Sequence, residues 1–250
     1  MNIRVKTVST EQLTPRQVQI LKDVVEEYIK TALPVGSDNL DRKYNLGVSP
    51  ATIRNEMNEL TRLDYLRQPH TSAGRVPTPR AIRFYVDQLM QEKQLSVTDE
   101  VAAKQRVFEV KDDFDRLMQE TTRALAQLTK SLAVAVTEDD GLWHSGYANI
   151  LSNPEFYNID VTFNVLSILE QVPKVRELLL ERMNWDEPVG IVFGEQVGWA
   201  NFEPVGIVVG HFATPSLRGC IGVIGPVRLN YSVVVPLVKY FNSLVSEATK

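Results

Sequence analysis

Three helix starts in the N-terminal part of the chain share one two-residue signal, a hydroxyl side chain followed by proline. They occur at Thr14-Pro15, Ser49-Pro50 and Thr78-Pro79. A threonine or serine at the N-cap accepts a hydrogen bond from a backbone N–H of the first turn. Proline is favoured at the first helical position because its missing N–H would have no partner there. The sequence therefore predicts a helix beginning at each of these prolines.

The segment from the first of these prolines to the end of the helix that the second one starts predicts a helix-turn-helix. Apolar residues at helical spacing after Thr14 indicate an amphipathic helix of about 15–18 residues. A second, short helix is expected from Ser37 to about Tyr44, followed by a tight turn in which Gly47 can take a positive φ. The third helix begins at Pro50. Its apolar face comprises Ile53, Met57 and Leu60. Helix, glycine turn and helix, with a stabilising helix before them, is helix-turn-helix organisation.

The segment after the third helix has the pattern of a wing. Two short strands are expected around residues 65–69 and 75–77, and they enclose a polar tip, residues 70–74, that closes on glycine. A further helix is expected from Pro79 to about Glu92. We therefore predict a winged helix-turn-helix domain over residues 1–92 and a polar linker over residues 93–100.

The remaining residues, 101–250, predict an α+β domain. A long helical pattern over about 99–130 is followed by a hairpin whose turn contains Asp140-Gly141, a strong hairpin signal between apolar runs. The later elements are two helices at 154–171 and 173–183, three strands at 189–193, 205–212 and 219–224, and a final helix at 231–245. Antiparallel strands with helices before and after them are typical of an α+β fold.

The outward face of the third helix carries side chains of the kind that read base edges in a major groove. The exposed positions are Thr52, Arg54, Asn55, Asn58 and Arg62. Arginine can bridge guanine O6 and N7, asparagine can pair with adenine N6 and N7, and threonine can contact a thymine methyl group. Ser49 and the N–H groups of the first turn suit a phosphate. For an isolated helix a solvated polar face is the better interpretation, but the position between a turn and a wing favours a recognition helix.

The tip of the wing gives a second set of candidate DNA contacts. They are His70, Thr71, Ser72, Gly74 and Arg75. The small residues let the backbone approach a phosphate, and the arginine can enter a minor groove. The alternative is an ordinary surface hairpin. His70 is expected to be a loop residue without a role in proton transfer.

The charge of the chain is distributed unevenly. The formal net charge is −4, yet residues 1–92 sum to +2 and residues 93–250 to −6. Residues 49–83 contain six arginines and three acidic residues. Phosphate binding depends on a local basic surface and not on the sum over the chain. The excess of basic residues therefore lies in the predicted DNA-binding domain.

The sequence lacks a recognisable catalytic or metal-binding pattern. The histidines, His70, His144 and His211, have no metal-ligand spacing to one another or to the single cysteine, Cys220. Cys220 lies in an apolar run and is interpreted as a buried small hydrophobe. Residues 222–226, Gly-Val-Ile-Gly-Pro, lack the pattern of a phosphate-binding loop. We therefore expect no enzymatic activity, no metal and no cofactor.

Export and membrane insertion are not indicated either. No apolar run approaches the ~18 residues that cross a bilayer. The first residues lack the apolar core of a signal peptide. We expect a cytoplasmic protein with no membrane partner.

Several stretches of the sequence resemble the heat-inducible transcription repressor HrcA family. In the N-terminal part they are Pro34–Ser37, Ser49–Met57 (SPATIRNEM) and Gln68–Arg75 (QPHTSAGR). In the C-terminal part they are Asn149–Leu151 with Pro154-Glu155-Phe156, and Gly222–Pro226 with Arg228 and Tyr231. Motifs of this length rarely coincide by chance, and they come from both ends of the chain.

The resemblance implies a winged-helix domain followed by a GAF-like domain, in a homodimer. It implies repression of heat-shock chaperone operons through a long inverted-repeat operator upstream of them, with release on heat stress. It also implies a partner, the chaperonin GroEL, which helps to keep the repressor active until unfolded protein occupies it.

The sequence departs from the family in one place. Members usually carry a long extra segment, with an inserted dimerising domain, between the stretches that match residues 132–136 and 142–147. Here the five residues Thr137–Gly141 join them. We expect dimerisation through the GAF-like domain and the helix before Lys130. The apolar stripe offered for it is Phe114, Leu117, Leu125, Leu128 and Leu132, and the competing interpretation is that this stripe packs on its own sheet.

Two other classes of function compete with a repressor of chaperone operons. One is a winged-helix regulator whose GAF-like domain senses a small metabolite. A ligand that prefers the folded state would raise the melting temperature of such a protein. The other is an enzyme with an appended DNA-binding module, which the missing catalytic pattern disfavours.

Overall fold

The computed structural model describes residues 13–181, 185 and 187–250. The chain divides into two compact units, Met1–Leu89 and Met90–Lys250. In the described residues, no helix is long and apolar enough to cross a membrane.

From residue 13 onward, where its description begins, the first unit has four α-helices and two very short strands. They are α1 Pro15–Thr31, α2 Ser37–Tyr44, α3 Pro50–Arg62, β1 Leu66–Arg67, β2 Val76–Pro77 and α4 Pro79–Phe84. A turn of π-helix, Tyr85–Leu89, continues α4, so this helical segment ends three residues before the expected Glu92.

The three expected helix starts are confirmed, and each is capped in the same way. The side-chain oxygens of Thr14, Ser49 and Thr78 accept hydrogen bonds from backbone N–H groups three residues later, at 3.2, 3.2 and 3.3 Å. Gln17 completes a capping box with Thr14. The apolar face expected for α3 is buried: Ile53, Met57 and Leu60 are at most 3% exposed.

The second unit contains a five-stranded antiparallel sheet of order β4-β3-β7-β6-β5. Its strands are β3 Leu132–Thr137, β4 Leu142–Ser145, β5 Val189–Phe193, β6 Val205–Ala213 and β7 Arg218–Pro226. Its helices are α5 Val97–Phe108, α6 Phe114–Thr129, α7 Tyr147–Ile150, α8 Ile159–Ile168, α9 Val172–Arg176, α10 Gly194–Val197 and α11 Tyr231–Ala248. A 3-10 turn, Pro154–Tyr157, precedes α8, and a π-helical turn, Glu177–Glu181, continues α9. The expected hairpin at Asp140-Gly141 is confirmed.

Helices cover both faces of this sheet. Ile207 and Val209 of β6 belong to an apolar core shared with α8 and α9. The alternate positions of β6 face α11: a Cβ added at Gly210 would lie 2.7 Å from Asn242 Nδ2. Because strand side chains alternate, the sheet is sandwiched between two helical layers.

Several boundaries differ from the sequence prediction, among them the expected helix over 154–171, which is a 3-10 turn followed by α8. Two of the differences have a clear cause. The expected long helix over 99–130 is two helices, because Asp113 caps a new start: its carboxylate accepts the N–H of Arg116 at 3.2 Å. The expected linker over 93–100 already contains the start of α5, which is capped by Ser96 through the N–H of Asp99 at 3.1 Å. In both cases a polar N-cap residue determines where the helix begins.

The apolar stripe offered as a dimer surface was the wrong choice. Leu117, Leu125 and Leu132 are completely buried within the second unit. Phe114 packs edge-to-face on Trp143, with ring centroids 5.7 Å apart. The stripe is therefore part of the unit's own core, as the competing interpretation had it.

Candidate nucleic-acid interface

A backbone bridge of one residue pair joins the wing to the segment just before α2. Val35 and Arg75 exchange two backbone hydrogen bonds, each of 2.8 Å, and form an isolated antiparallel bridge next to the β1–β2 pair. Gly74 allows this approach, since a Cβ there would lie 2.4 Å from the carbonyl oxygen of Val35. The wing, residues 68–75, is therefore anchored by the backbone at its return strand.

The outward face of α3 is exposed as expected. Arg54, Asn55, Asn58 and Arg62 are exposed, and Thr52 is half-buried. Within the part of the chain that the structure describes, the side chains of Arg54 and Asn55 make no hydrogen bond or ion pair. These two side chains are therefore available to a ligand without breaking an internal bond.

Two of the candidate residues are instead bonded to each other. The guanidinium of Arg75 donates to Asn58 Oδ1 at 2.7 Å and to Thr61 Oγ1 at 3.2 Å. Arg75 is half-buried, so this contact is partly shielded from water. The pair ties the wing to the middle of α3 and fixes the distance between the two DNA-facing elements.

The tip of the wing is held by Gln68, the first residue of the QPHTSAGR stretch. Gln68 Nε2 donates to the carbonyl oxygens of Thr71 and Ala73 at 2.9 and 3.0 Å. Ser72 Oγ lies 3.3 Å from His70 Nδ1. These bonds close the tip into a defined loop and leave its small side chains exposed.

A concave surface brings the start of α2, the recognition face of α3 and the wing together. It encloses about 400 Å³. Its lining includes Ser37 and Asp38 from α2, Arg54 from α3, and Arg75 with the wing tip. The lining contains two arginines and one aspartate, so the net charge of this surface is positive, as phosphate binding requires.

Two helices behind this surface, α1 and α2, are joined by an ion pair between a buried glutamate and a half-exposed lysine. Lys43 of α2 lies 2.5 Å from Glu27 of α1, whose side chain is 4% exposed. The hydrogen bond from Lys43 holds the pKa of Glu27 below its usual value. Since the carboxylate is ionised at neutral pH, it keeps α2 attached to α1 and supports the angle at which α3 leaves the turn.

The remaining arginine of the recognition face is engaged on the helix surface. Arg62 Nε donates to Glu59 Oε2 at 2.9 Å, and both side chains are more than half exposed. An exposed pair of this kind contributes about 0–1 kcal/mol, so the bond to Glu59 by itself is a weak restraint on Arg62.

Three residues position the wing in a way that the sequence did not predict. Val35 forms a bridge with a single residue of the wing, Arg75, and one paired residue leaves no periodic pattern in the sequence. Gln68 acts through side-chain bonds to two carbonyl oxygens of the loop, and Thr61 accepts a bond from Arg75, which is distant in the sequence. The sequence analysis named Gly74 as a candidate DNA contact because a small residue lets the backbone approach a phosphate.

Cys220 is buried, as expected. Burial raises the pKa of its thiol to about 12, which keeps it protonated and unreactive at neutral pH. Among the described residues, no group of three or more histidine, cysteine and acidic side chains is placed to hold a metal ion.

Comparisons with known proteins agree with this geometry. A family model described as the HrcA protein C-terminal domain matches residues 80–235. The heat-inducible transcription repressor HrcA of Carboxydothermus hydrogenoformans is 28% identical over 334 residues, which cover 93% of this chain and 97% of the relative. That of Desulforamulus reducens is 46% identical over 123 residues, 49% of this chain and 35% of the relative. The first alignment is longer than this chain of 250 residues, so that relative contains residues that this chain lacks.

One solved structure shares the fold across the chain. It is the crystal structure of a protein described only as hypothetical, with a TM-score of 0.77 and 18% identity, covering 95% of this chain and 99% of that one. The exposed third helix, the turn before it and the wing after it define a winged helix-turn-helix protein. The chain belongs to the HrcA family. The expected fold class, an α+β chain with a winged helix-turn-helix followed by a GAF-like domain, is confirmed.

Proposed function

We propose that this chain is a sequence-specific DNA-binding repressor of heat-shock chaperone operons, which binds an inverted-repeat operator and is released on heat stress. The observation that carries the proposal is the exposed face of α3, where Arg54 and Asn55 have no internal partner in the described residues. The relatives named heat-inducible transcription repressor supply the regulatory role. The proposed role is a non-enzymatic one, carried out in the cytoplasm on DNA.

The eleven candidate residues divide into three roles in this proposal. Thr52, Arg54 and Asn55 read bases in the major groove. Ser49, Arg62 and the wing-tip residues His70, Thr71, Ser72 and Gly74 face phosphates, which set the register of the protein on DNA. Asn58 and Arg75 hold α3 and the wing together, since their side chains are hydrogen-bonded to each other.

Arg54→Ala and Asn55→Ala are each expected to lose roughly 1–3 kcal/mol of binding free energy on the cognate operator. Binding to unrelated DNA is expected to fall much less, because non-specific affinity comes from phosphate contacts. Titration of each variant with both DNAs at one salt concentration measures the difference.

Asn58→Ala is the matched control, because it is a neighbouring exposed residue of the same helix whose side chain is engaged with Arg75. Asn58→Ala should weaken binding to both DNAs by similar factors. It loosens the wing, and in this proposal the Asn58 side chain contacts no base. Equal losses on the two DNAs for Arg54→Ala and Asn55→Ala would show that they contact phosphates alone.

The proposed partners are a second copy of the chain and a GroEL-type chaperonin. The second copy follows from the two-fold symmetry of an inverted repeat. If the chaperonin keeps the repressor active, operator binding by purified protein should rise when chaperonin and ATP are supplied. Operator affinity that ignores chaperonin across a heating series would contradict this part of the proposal. The metabolite-sensing alternative rests on the sequence and stays a prediction.

A further inference from the structure

An aspartate lies on the concave surface that faces DNA in the proposed function. Asp38, the second residue of α2, lines this concavity together with Arg54 and the tip of the wing. Its side chain is exposed, and among the residues that the structure describes it makes no hydrogen bond or ion pair. A carboxylate in this place repels phosphates, whose attraction supplies most of the non-specific affinity of a DNA-binding protein. Asp38 therefore weakens DNA binding unless a group other than a phosphate compensates it.

The backbone of Asp38 is held in place on both sides. Val35, three residues earlier, exchanges two backbone hydrogen bonds of 2.8 Å with Arg75. Leu40, two residues later, is completely buried. The carbonyl oxygen of Asp38 itself accepts a hydrogen bond from Arg42 Nε at 3.1 Å. Because the backbone is fixed and the carboxylate is free, a ligand of this carboxylate loses little affinity to the ordering of the protein.

The charge of Asp38 also stabilises the start of α2. An acidic residue in the first turn interacts favourably with the positive end of a helix. α2 has no side-chain cap, because its N-cap residue is Gly36. This structural role is the same on every DNA sequence, so it cannot produce a preference for one base. A measured base preference therefore separates it from a role in recognition.

In a major groove the group that a carboxylate can accept from is the amino group of a base. Cytosine presents its N4 amino group there and adenine its N6 amino group, whereas guanine and thymine present acceptors. Adenine also carries the acceptor N7 beside its amino group, and N7 repels a carboxylate. Cytosine has no acceptor of its own on this edge. The chemistry of the carboxylate therefore favours cytosine.

Asp38 and Arg54 make complementary demands on the DNA. Both line the same concavity, and in the described part of the chain no ion pair joins them. Arg54 offers donors, which suit guanine O6 and N7, and Asp38 offers acceptors, which suit the amino group of cytosine. Two opposite charges that both stay free on one surface therefore suit the two bases of G·C pairs.

We propose that Asp38 is a specificity-determining residue, whose carboxylate accepts a hydrogen bond from the N4 amino group of a cytosine in each half-site of the operator. Where another base stands at that position, the carboxylate stays unpaired and its charge lowers the affinity. An unpaired charge against the wrong partner is one of the two general routes to specific binding. The proposal rests on the proposed function, since the cytosine belongs to the operator that this function requires.

The test is selection of bound sequences from a random pool of double-stranded DNA, with the unmodified full chain and with Asp38→Ala. The unmodified chain is expected to select a cytosine at one position of each half-site that the variant no longer requires, while the other positions stay the same. In titrations at one salt concentration, the affinity of Asp38→Ala for the selected site should fall roughly 5- to 150-fold. Its affinity for unrelated DNA should rise severalfold, because a negative charge has left the surface. A damaged fold would instead lower both affinities.

Asp41→Ala is the matched control. Asp41 is the other acidic residue of α2, about one turn later, and it does not line the concavity. Its variant should select the same sequences as the unmodified chain. Asp38→Ser is an independent variant that keeps a polar side chain at the start of α2. Since a serine hydroxyl can contact any base, this variant should also lose the preference for cytosine.

Equal gains on both DNAs for Asp38→Ala would show that the carboxylate only repels phosphates, and equal losses would show that it only supports the fold. Either result overturns the proposal. So does a cytosine preference that persists in both Asp38 variants, or one that Asp41→Ala also removes. If the unmodified chain selects no shared sequence at all, the proposed function is contradicted, and the proposal falls with it.

Discussion

Replacing Arg228 by alanine is expected to remove about 3–5 kcal/mol from the unfolding free energy of the second unit. The guanidinium makes a two-point contact with Glu155 and a third with Asn153, in a place where both charged side chains are nearly buried. Removing it leaves a carboxylate desolvated and unpaired, which costs far more than the pair contributes when intact.

Urea unfolding followed by tryptophan fluorescence measures this loss. All three tryptophans, Trp143, Trp185 and Trp199, belong to the second unit, so the signal reports that unit alone. Arg176→Ala is the matched control. Arg176 pairs with Asp140 at 2.6 Å, but the side chains are 35% and 62% exposed, so a loss of about 0–1 kcal/mol is expected. Similar losses for the two variants would show that burial does not distinguish these ion pairs.

Gly74→Ser is expected to destabilise the first unit by roughly 1–3 kcal/mol and to displace the wing. The new Cβ would lie 2.4 Å from the carbonyl oxygen of Val35, a backbone atom that cannot rotate away. Relief of this overlap requires the paired bonds between Val35 and Arg75 to open. Hydrogen exchange at these two amides measures the opening directly.

Gly36→Ser provides the control for this variant. A Cβ at Gly36 meets nothing within 4 Å, and the residue is an N-cap in an extended conformation, with φ −95 and ψ 153. Serine is favoured at such a position, so the change should be neutral or slightly stabilising. Equal protection of the Val35 and Arg75 amides in both variants would show that the close approach at Gly74 does not control the wing.

The sequence predicted the first unit well because its signals are local. A threonine or serine followed by proline marks the starts of α1, α3 and α4. In each of these helices the predicted threonine or serine is the N-cap residue. Burial of Ile53, Met57 and Leu60 then determines which side of α3 faces outward. A local cap and a helical period suffice for these features, and neither depends on distant parts of the chain.

The features that the sequence missed depend on contacts between distant residues. Arg75 and Asn58 each fit a DNA contact by residue type, and a bond across 17 positions assigns them to each other instead. Glu155 and Arg228 were recognised as parts of two separate motifs, and the ion pair between them joins residues 73 positions apart. The stripe on α6 failed as a surface because periodicity shows which side is apolar and not whether the same unit covers it.

The central claim is that the exposed face of α3 directs this chain to an inverted repeat in front of chaperone genes. Selection of fragments bound by the full chain from total genomic DNA, followed by sequencing, tests it most directly. We expect enrichment of one inverted repeat upstream of chaperone genes, and loss of that enrichment with Arg54→Ala. Fragments no different from the input DNA, or a shared sequence without two-fold symmetry and away from chaperone genes, would contradict it.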